Sequence, residues 1–286
     1  MFAIVGTVPD LRFPLVEGQA ELRGNVLQVD GHIAPVNRGT PALIAAAIKT
    51  LEVIDRPAPY AYLAGDIGLG EGSRGLYDHL VQRLPQTDWG VLTFHYLQPD
   101  VDWHNRVLFA IGEMRRRPLL IADAGYMYAA KMSGMAEAYD LFTPDAGELA
   151  FLADDQAPHP FYTRGFILHE EQKVSDLIAR AYRYKNAARI LLVKGQVDYV
   201  AGAQGVFATI DSPDEEALEP IGGTGDTLTG IVSALAAGGM EMGRAAALAA
   251  RANRIAGCLA APTPMTQVSD IIACIPEAVA QVLEMP

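Results

Sequence analysis

Short apolar runs bounded by glycine, proline or charged residues recur along the chain at 2–6, 60–65, 89–94, 119–123, 140–143 and 190–194. Runs this short and this uniformly hydrophobic predict strands buried on both faces, as in a parallel sheet. Between them, the segments 41–54, 74–84, 103–116, 146–153 and 171–186 read as helices, and three more helices are predicted near the C-terminus. Two further strands, 198–201 and 205–210, are separated only by Gly202-Ala203-Gln204, which predicts a hairpin. Strand and helix alternate, so the predicted fold class is α/β, a central mostly parallel sheet flanked by helices on both faces. The segment 154–165, with aromatic and histidine residues among two prolines, reads either as an ordinary surface loop or as a flap.

The run Ile221-Gly222-Gly223-Thr224-Gly225-Asp226, just before the apolar stretch 231–237, adds candidate chemistry. Small residues let a backbone approach a ligand closely, and the first amides of a helix have no partners within it, so Gly223, Thr224 and Gly225 form a candidate anion hole. Asp226 falls in the first helical turn, where the amides would orient a phosphoryl group against a hydroxyl that its carboxylate binds. A turn with a capping Asp and no chemistry is the competing reading.

Two more segments bear on that choice. The run 188–193 reads as a buried strand ending at Lys194-Gly195, where open α/β sheets present ligand-binding groups, although a strand-end lysine can equally be solvated. The stretch Asp140-Leu141-Phe142-Thr143-Pro144-Asp145-Ala146-Gly147-Glu148 reads as a strand, a turn and a helix start. Asp145 and Glu148 are three apart and share a helical face, which suits water-mediated Mg²⁺ binding or plain N-terminal capping.

In this order and spacing the three segments resemble the ribokinase-like superfamily, in particular its branch of ADP/ATP-dependent NAD(P)H-hydrate dehydratases and hydroxyethylthiazole kinases. The elements Thr-Pro-x-x-x-Glu, strand-Lys-Gly and Gly-Thr-Gly-Asp occur here as 143–148, 193–195 and 223–226. Upstream, 118–124 is similar to the family's strand ending in Asp-Ala, and Arg38-Gly39-Thr40-Pro41-Ala42 to its substrate-side segment. The resemblance implies one ribokinase-like domain over 1–286 and a nucleotide, ATP or ADP, across the carboxyl edge of the sheet. It implies Asp226 as catalytic base, Gly223, Thr224 and Gly225 as anion hole, and Lys194, Gly195, Thr143 and Asn253 on the nucleotide side. It further implies Thr40 and Asp123 on the substrate side and Glu148 with Asp145 at Mg²⁺, while Asp66, near the start of the glycine-rich 68–75 loop, is expected beside the substrate pocket.

Within that branch, dehydratases carry a Gly-Pro-Gly-Leu-Gly type loop after a strand where this chain reads Thr93-Phe94-His95-Tyr96-Leu97-Gln98-Pro99-Asp100. Bulky side chains there would screen backbone amides from a dinucleotide. The expectation is therefore ATP-dependent phosphoryl transfer to a small-molecule hydroxyl. A dehydratase acting on NAD(P)H hydrate is the alternative and a non-catalytic nucleotide-binding protein the second, with the 68–75 loop a possible substitute phosphate cradle.

Charge and composition narrow the partners. A net charge of −12 argues against nucleic acid and against an anionic membrane surface, both of which favour basic proteins. Neither a long apolar span nor a basic leader is evident, and Cys258 and Cys274 have no metal-like spacing, so a reducing cytoplasm fits. A homo-oligomer is expected from the resemblance. Gly70-Glu71-Gly72-Ser73-Arg74-Gly75 has dinucleotide-binding spacing, but the next strand ends without the acidic residue that would receive a ribose hydroxyl. His95 and His104 match no zinc pattern and read as structural.

Overall fold

A computed structural model describes residues 1–160 and 174–284. Eleven strands among these, numbered in chain order, form one sheet. Its centre is parallel: β1 (Phe2–Val8) lies between β5 (Tyr60–Gly65) and β6 (Val91–His95), followed outward from β6 by β7 (Leu119–Ala122), β8 (Leu141–Phe142) and β9 (Ile190–Val193). Every residue of β1 and β6 is buried, because helices cover both faces. The hairpin predicted from sequence is present as β10 (Asp198–Gly202) and β11 (Gly205–Ile210), and it adds antiparallel to β9.

At the opposite edge, β2 (Val16–Arg23), β3 (Val26–Val29) and β4 (His32–Pro35) extend the sheet antiparallel from β5, where no strand is read from sequence. Polar residues dominate β2, with Val16 and Ala20 its buried apolar contacts, so it carries little hydrophobic signal. The clue is Asp30-Gly31, both at positive φ (47° and 77°), a pairing that favours a tight hairpin.

Helices α1 (Gly39–Val53), α7 (Thr224–Ala237), α8 (Met242–Leu259) and α9 (Val268–Glu284) pack into one apolar core on one side of the sheet. On the other side lie α2 (Glu71–Arg83), α3 (Val101–Gly112), α4 (Ala124–Met132), α5 (Ala146–Leu152) and α6 (Val174–Arg183). The short helix α4 is absent from the sequence reading because its Ala-Gly-Tyr-Met-Tyr-Ala-Ala run has no polar stripe to mark a period. Parts of the predicted flap, 161–165, and of the helix start, 171–173, lie outside the described residues. Among the described residues no helix is long and apolar enough to cross a membrane.

Candidate active site

The parallel strands all run the same way, so their carboxyl ends deliver side chains to one edge: His95 closes β6, Asp123 follows β7, Thr143 follows β8 and Lys194 follows β9. The amino ends of α1 and α7 meet at the same edge. A cavity of about 960 Å³ opens there, walled by Arg38, His95, Tyr96, Asp123, Lys194 and Gly223 to Asp226, with Asp145, Glu148, Gly195 and Asn253 further along. The volume is in the range of small-molecule and cofactor sites.

Asp226 stands at the junction of the two helices. Its Oδ2 accepts from the Gly39 amide at 2.6 Å, and its Oδ1 lies 3.1 Å from His95 Nε2. The helix it belongs to begins at Gly223 with φ 106°, a backbone conformation that favours glycine, and a Cβ there would also come within 2.9 Å of Val268. The first α-helical bond of α7 runs from Thr227 N to Gly223 O at 2.9 Å, so the amides of Thr224, Gly225 and Asp226 lie outside the helical ladder. Asn253 braces this turn: its Nδ2 donates to Thr224 O at 3.1 Å and its Oδ1 accepts from Thr227 Oγ1 at 2.7 Å.

Beside it lies a buried ion pair. Lys194 Nζ donates to both oxygens of Asp123 at 2.9 and 3.0 Å, and Thr229 Oγ1 donates to Asp123 Oδ2 at 2.6 Å. Burial pushes the Asp123 carboxyl upward, but Lys194, His95 and Thr229 outweigh it and hold it below its ordinary value. Lys194 is held above its ordinary value, because Asp123, Glu148 and Asp226 more than offset its burial.

Asp145 and Glu148 form a reciprocal capping box at the start of α5, each carboxylate accepting the other's backbone amide at 2.8 Å. The capping reading of this pair is thus realised, and both residues still line the cavity. Burial, opposed by Lys194 and reinforced by Asp123 and Asp145, pushes Glu148 up to about 7. Among the described residues no three His, Cys, Asp or Glu side chains group as a metal cluster.

Other predicted residues sit elsewhere. Thr143 is fully buried with its hydroxyl 3.0 Å from that of Thr229, behind the ion pair and off the cavity wall. Thr40 is also fully buried and reaches the site only through His95, whose Nδ1 is 3.0 Å from its Oγ1. Asp66 does not line the cavity; its oxygens accept from the amides of Gly68, Gly70 and Ser73 and from Ser73 Oγ at 2.8 to 3.0 Å. Those amides are satisfied by Asp66, so the 68–75 loop does not offer them as a phosphate cradle.

Three residues to which the sequence reading assigned no individual site role line the cavity. Arg38 and Tyr96 face the cavity, and His95, read as structural, bonds Asp226. Of the bulky run at the end of β6, Phe94 points the other way and stacks on Tyr126 at 4.2 Å, so the expected screen reduces to His95 and Tyr96. Tyr96 has φ 53°, is 41% exposed, and is pinned by Thr7 Oγ1 donating to its carbonyl at 2.8 Å. Its position at the end of the edge-forming strand is the signal that could have found it.

Comparison with known proteins bears on the identity. A family model described as NAD(P)H-hydrate dehydratase matches residues 99–277, which include Asp123, Lys194 and Asp226. The uncharacterized protein MJ1337 of Methanocaldococcus jannaschii is 40% identical over 243 residues, covering 85% of this chain and 100% of that protein. The bifunctional NAD(P)H-hydrate repair enzyme of Pyrobaculum aerophilum is 26% identical over 249 residues, covering 82% of this chain and 46% of the relative, so this chain spans about half of that protein. Among solved structures, a ribokinase-like superfamily protein from Enterococcus faecalis superposes with a TM-score of 0.59 at 15% identity, covering 98% of this chain and 87% of that one. The pyridoxal kinase of Staphylococcus aureus does so with a TM-score of 0.54 at 13% identity, covering 90% and 88%. At these identities the structures speak to the fold alone. The fold is ribokinase-like, and on the match over 99–277 the chain belongs to the NAD(P)H-hydrate dehydratase family.

Proposed function

We propose that the protein is a nucleotide-dependent NAD(P)H-hydrate dehydratase. The observation that carries this is the coincidence of the family match with the cavity: the matched segment supplies Asp123, Lys194 and the 223–226 turn, all of which line it. The family match favours the dehydratase, the alternative in the sequence reading, over the small-acceptor kinase.

In this reading the terminal phosphates of ATP or ADP lie against the free amides of Thr224 to Asp226, with Lys194 and Arg38 the nearby cations and Gly195 and Asn253 on the nucleotide side. The hydroxyl of the hydrate attacks the terminal phosphorus, its proton passes to the Asp226 carboxylate, and the bond to the leaving nucleotide breaks. The phosphate ester then departs with its electron pair, pushed by the lone pair of the ring nitrogen. Loss of a proton from the neighbouring ring carbon restores the double bond, so hydrate and nucleotide yield NAD(P)H, the shortened nucleotide and phosphate.

Glu148 and Asp145 suit a Mg²⁺ held through water, since each keeps lone pairs beyond its capping bond and Glu148 stands near Lys194 and Asp123 without a direct cation contact. Bound there, the ion would neutralise phosphate charge. One domain over 1–286, homo-oligomeric assembly and a cytoplasmic setting complete the proposal.

Kinase activity on a small acceptor is the second reading, favoured by Tyr96 standing on the cavity wall where a dinucleotide would enter. Incubation with NADH hydrate and either ATP or ADP, followed by nicotinamide absorbance, tests both. Nucleotide-dependent recovery of NADH is the expected result. Nucleotide consumption that yields a phosphorylated small metabolite and no NADH would replace the first reading with the second.

A further inference from the structure

His95 is fully buried, and its ring nitrogens face Asp226, Asp123 and Thr40. Its Nε2 lies 3.1 Å from Asp226 Oδ1 and 3.9 Å from Asp123 Oδ2, and its Nδ1 lies 3.0 Å from Thr40 Oγ1. The Tyr96 ring meets it edge-on at 4.2 Å, and Lys194 stands behind Asp123. A carboxylate oxygen can only accept a hydrogen bond, so the contact with Asp226 requires the proton on Nε2. The other nitrogen, Nδ1, is fixed by the Thr40 hydroxyl.

The backbone around this pair is shaped to hold it. Thr40 lies in the first turn of α1 and packs on Gly6 of β1 so closely that a Cβ on Gly6 would come within 2.4 Å of Thr40 Oγ1 and 2.6 Å of the His95 carbonyl oxygen. Asp226 is thus gripped from two directions, by the Gly39 amide on Oδ2 and by the imidazole on Oδ1, and it lines the cavity.

We infer that His95 is the positioning residue for Asp226, fixing the carboxylate so that it receives the acceptor hydroxyl's proton, with Thr40 in turn fixing the imidazole. The inference rests on Asp226 being the base proposed above. The arrangement has the logic of a catalytic triad with the order changed: an orienting hydroxyl, an imidazole and the acting group, here a carboxylate. His95 donates to the base and touches no substrate in this scheme.

Two measurements test it. In ¹⁵N-histidine NMR of the intact wild-type protein, with the His95 signals assigned by their loss in His95→Gln, a proton on Nε2 is expected at neutral pH, and its resonance should shift in Asp226→Asn. A bare Nε2 would overturn the inference whatever the enzyme does. In turnover assays, His95→Asn puts its amide nitrogen near the Nδ1 position and loses the bond to Asp226, whereas His95→Gln reaches the Nε2 position and keeps it. A hydrogen bond to a charged group sets the expected loss of kcat in His95→Asn at about 10- to 100-fold, with His95→Gln recovering to within about fivefold of wild type and nucleotide Kd unchanged in both. Equal loss in both variants, or no loss in His95→Asn, would overturn it. Wild-type protein inactive on both hydrates and small hydroxylated acceptors would remove the proposed function instead, and the NMR result alone would then decide whether His95 holds Asp226.

Discussion

Two fully buried histidines close to each other in the chain have been given opposite tasks. His104, on α3, is met by hydroxyls and rings: its Nε2 is 2.7 Å from Tyr139 Oη, its Nδ1 3.0 Å from Ser133 Oγ, and the Tyr126 ring lies 5.3 Å away. Burial drives it down to about 4, so it is uncharged at neutral pH and serves as a two-ended strut inside the helical layer. His95 is equally inaccessible, but its Nε2 faces the carboxylates of Asp226 and Asp123. Burial alone therefore says nothing about which histidine is functional; the charge of the partners does.

The comparison can be broken most severely at the carboxylate. Asp226→Asn keeps the shape and the bond from Gly39 but cannot take a proton, and turnover should fall by ~10²- to 10⁴-fold. Nucleotide affinity, followed by calorimetry, should stay close to wild type; a mutant that turns over at a similar rate to wild type would remove Asp226 from the mechanism. Next comes the floor beneath the His95 pair. In Gly6→Ala the new methyl meets a backbone carbonyl that cannot yield, so overpacking should cost about 1–3 kcal/mol in urea unfolding and lower activity with it. An unchanged denaturation midpoint would mean that β1 and α1 have room to separate.

The smallest effect concerns His104 and reads out in pH. Its folded value, about 4, lies below its ordinary 6.5, so acid protonates the unfolded chain first and stability falls as pH drops from 6.5 towards 4. Between about pH 6.5 and 5.5 the contribution is roughly 1 kcal/mol. His104→Leu should lose that component of the slope, lower stability at neutral pH because Tyr139 and Ser133 lose a partner, and leave nucleotide affinity alone. If the slope survives the substitution, other groups carry it.

Much of this was legible in the sequence because the central strands are buried on both faces and so present unbroken apolar runs. The β2 to β4 extension was not, since Val16 and Ala20 are isolated apolar positions in a polar strand. At the site, the 223–226 turn and Lys194 stood out as glycines or a charge set against hydrophobic surroundings, and the structure brings them to one cavity. Asp66 looked similar from its place after β5, yet its oxygens are consumed by its own loop. His95 could not be read, because its meaning depends on Asp226 and Thr40, which only the folded sheet brings beside it.

The bond from the Gly39 amide to Asp226 joins residues 187 positions apart. At typical synthesis rates of about 5–20 residues per second, roughly 10 to 40 s separate the emergence of the two from a ribosome. Throughout that interval α1 has an uncapped amino end and lacks its neighbour α7, although β5 and β6, the partners of β1, emerge early in it. The proposed reactive centre is consequently among the last parts of the newborn chain to form. A chain stalled or released before residue 226 would have most of the sheet and lack the proposed base.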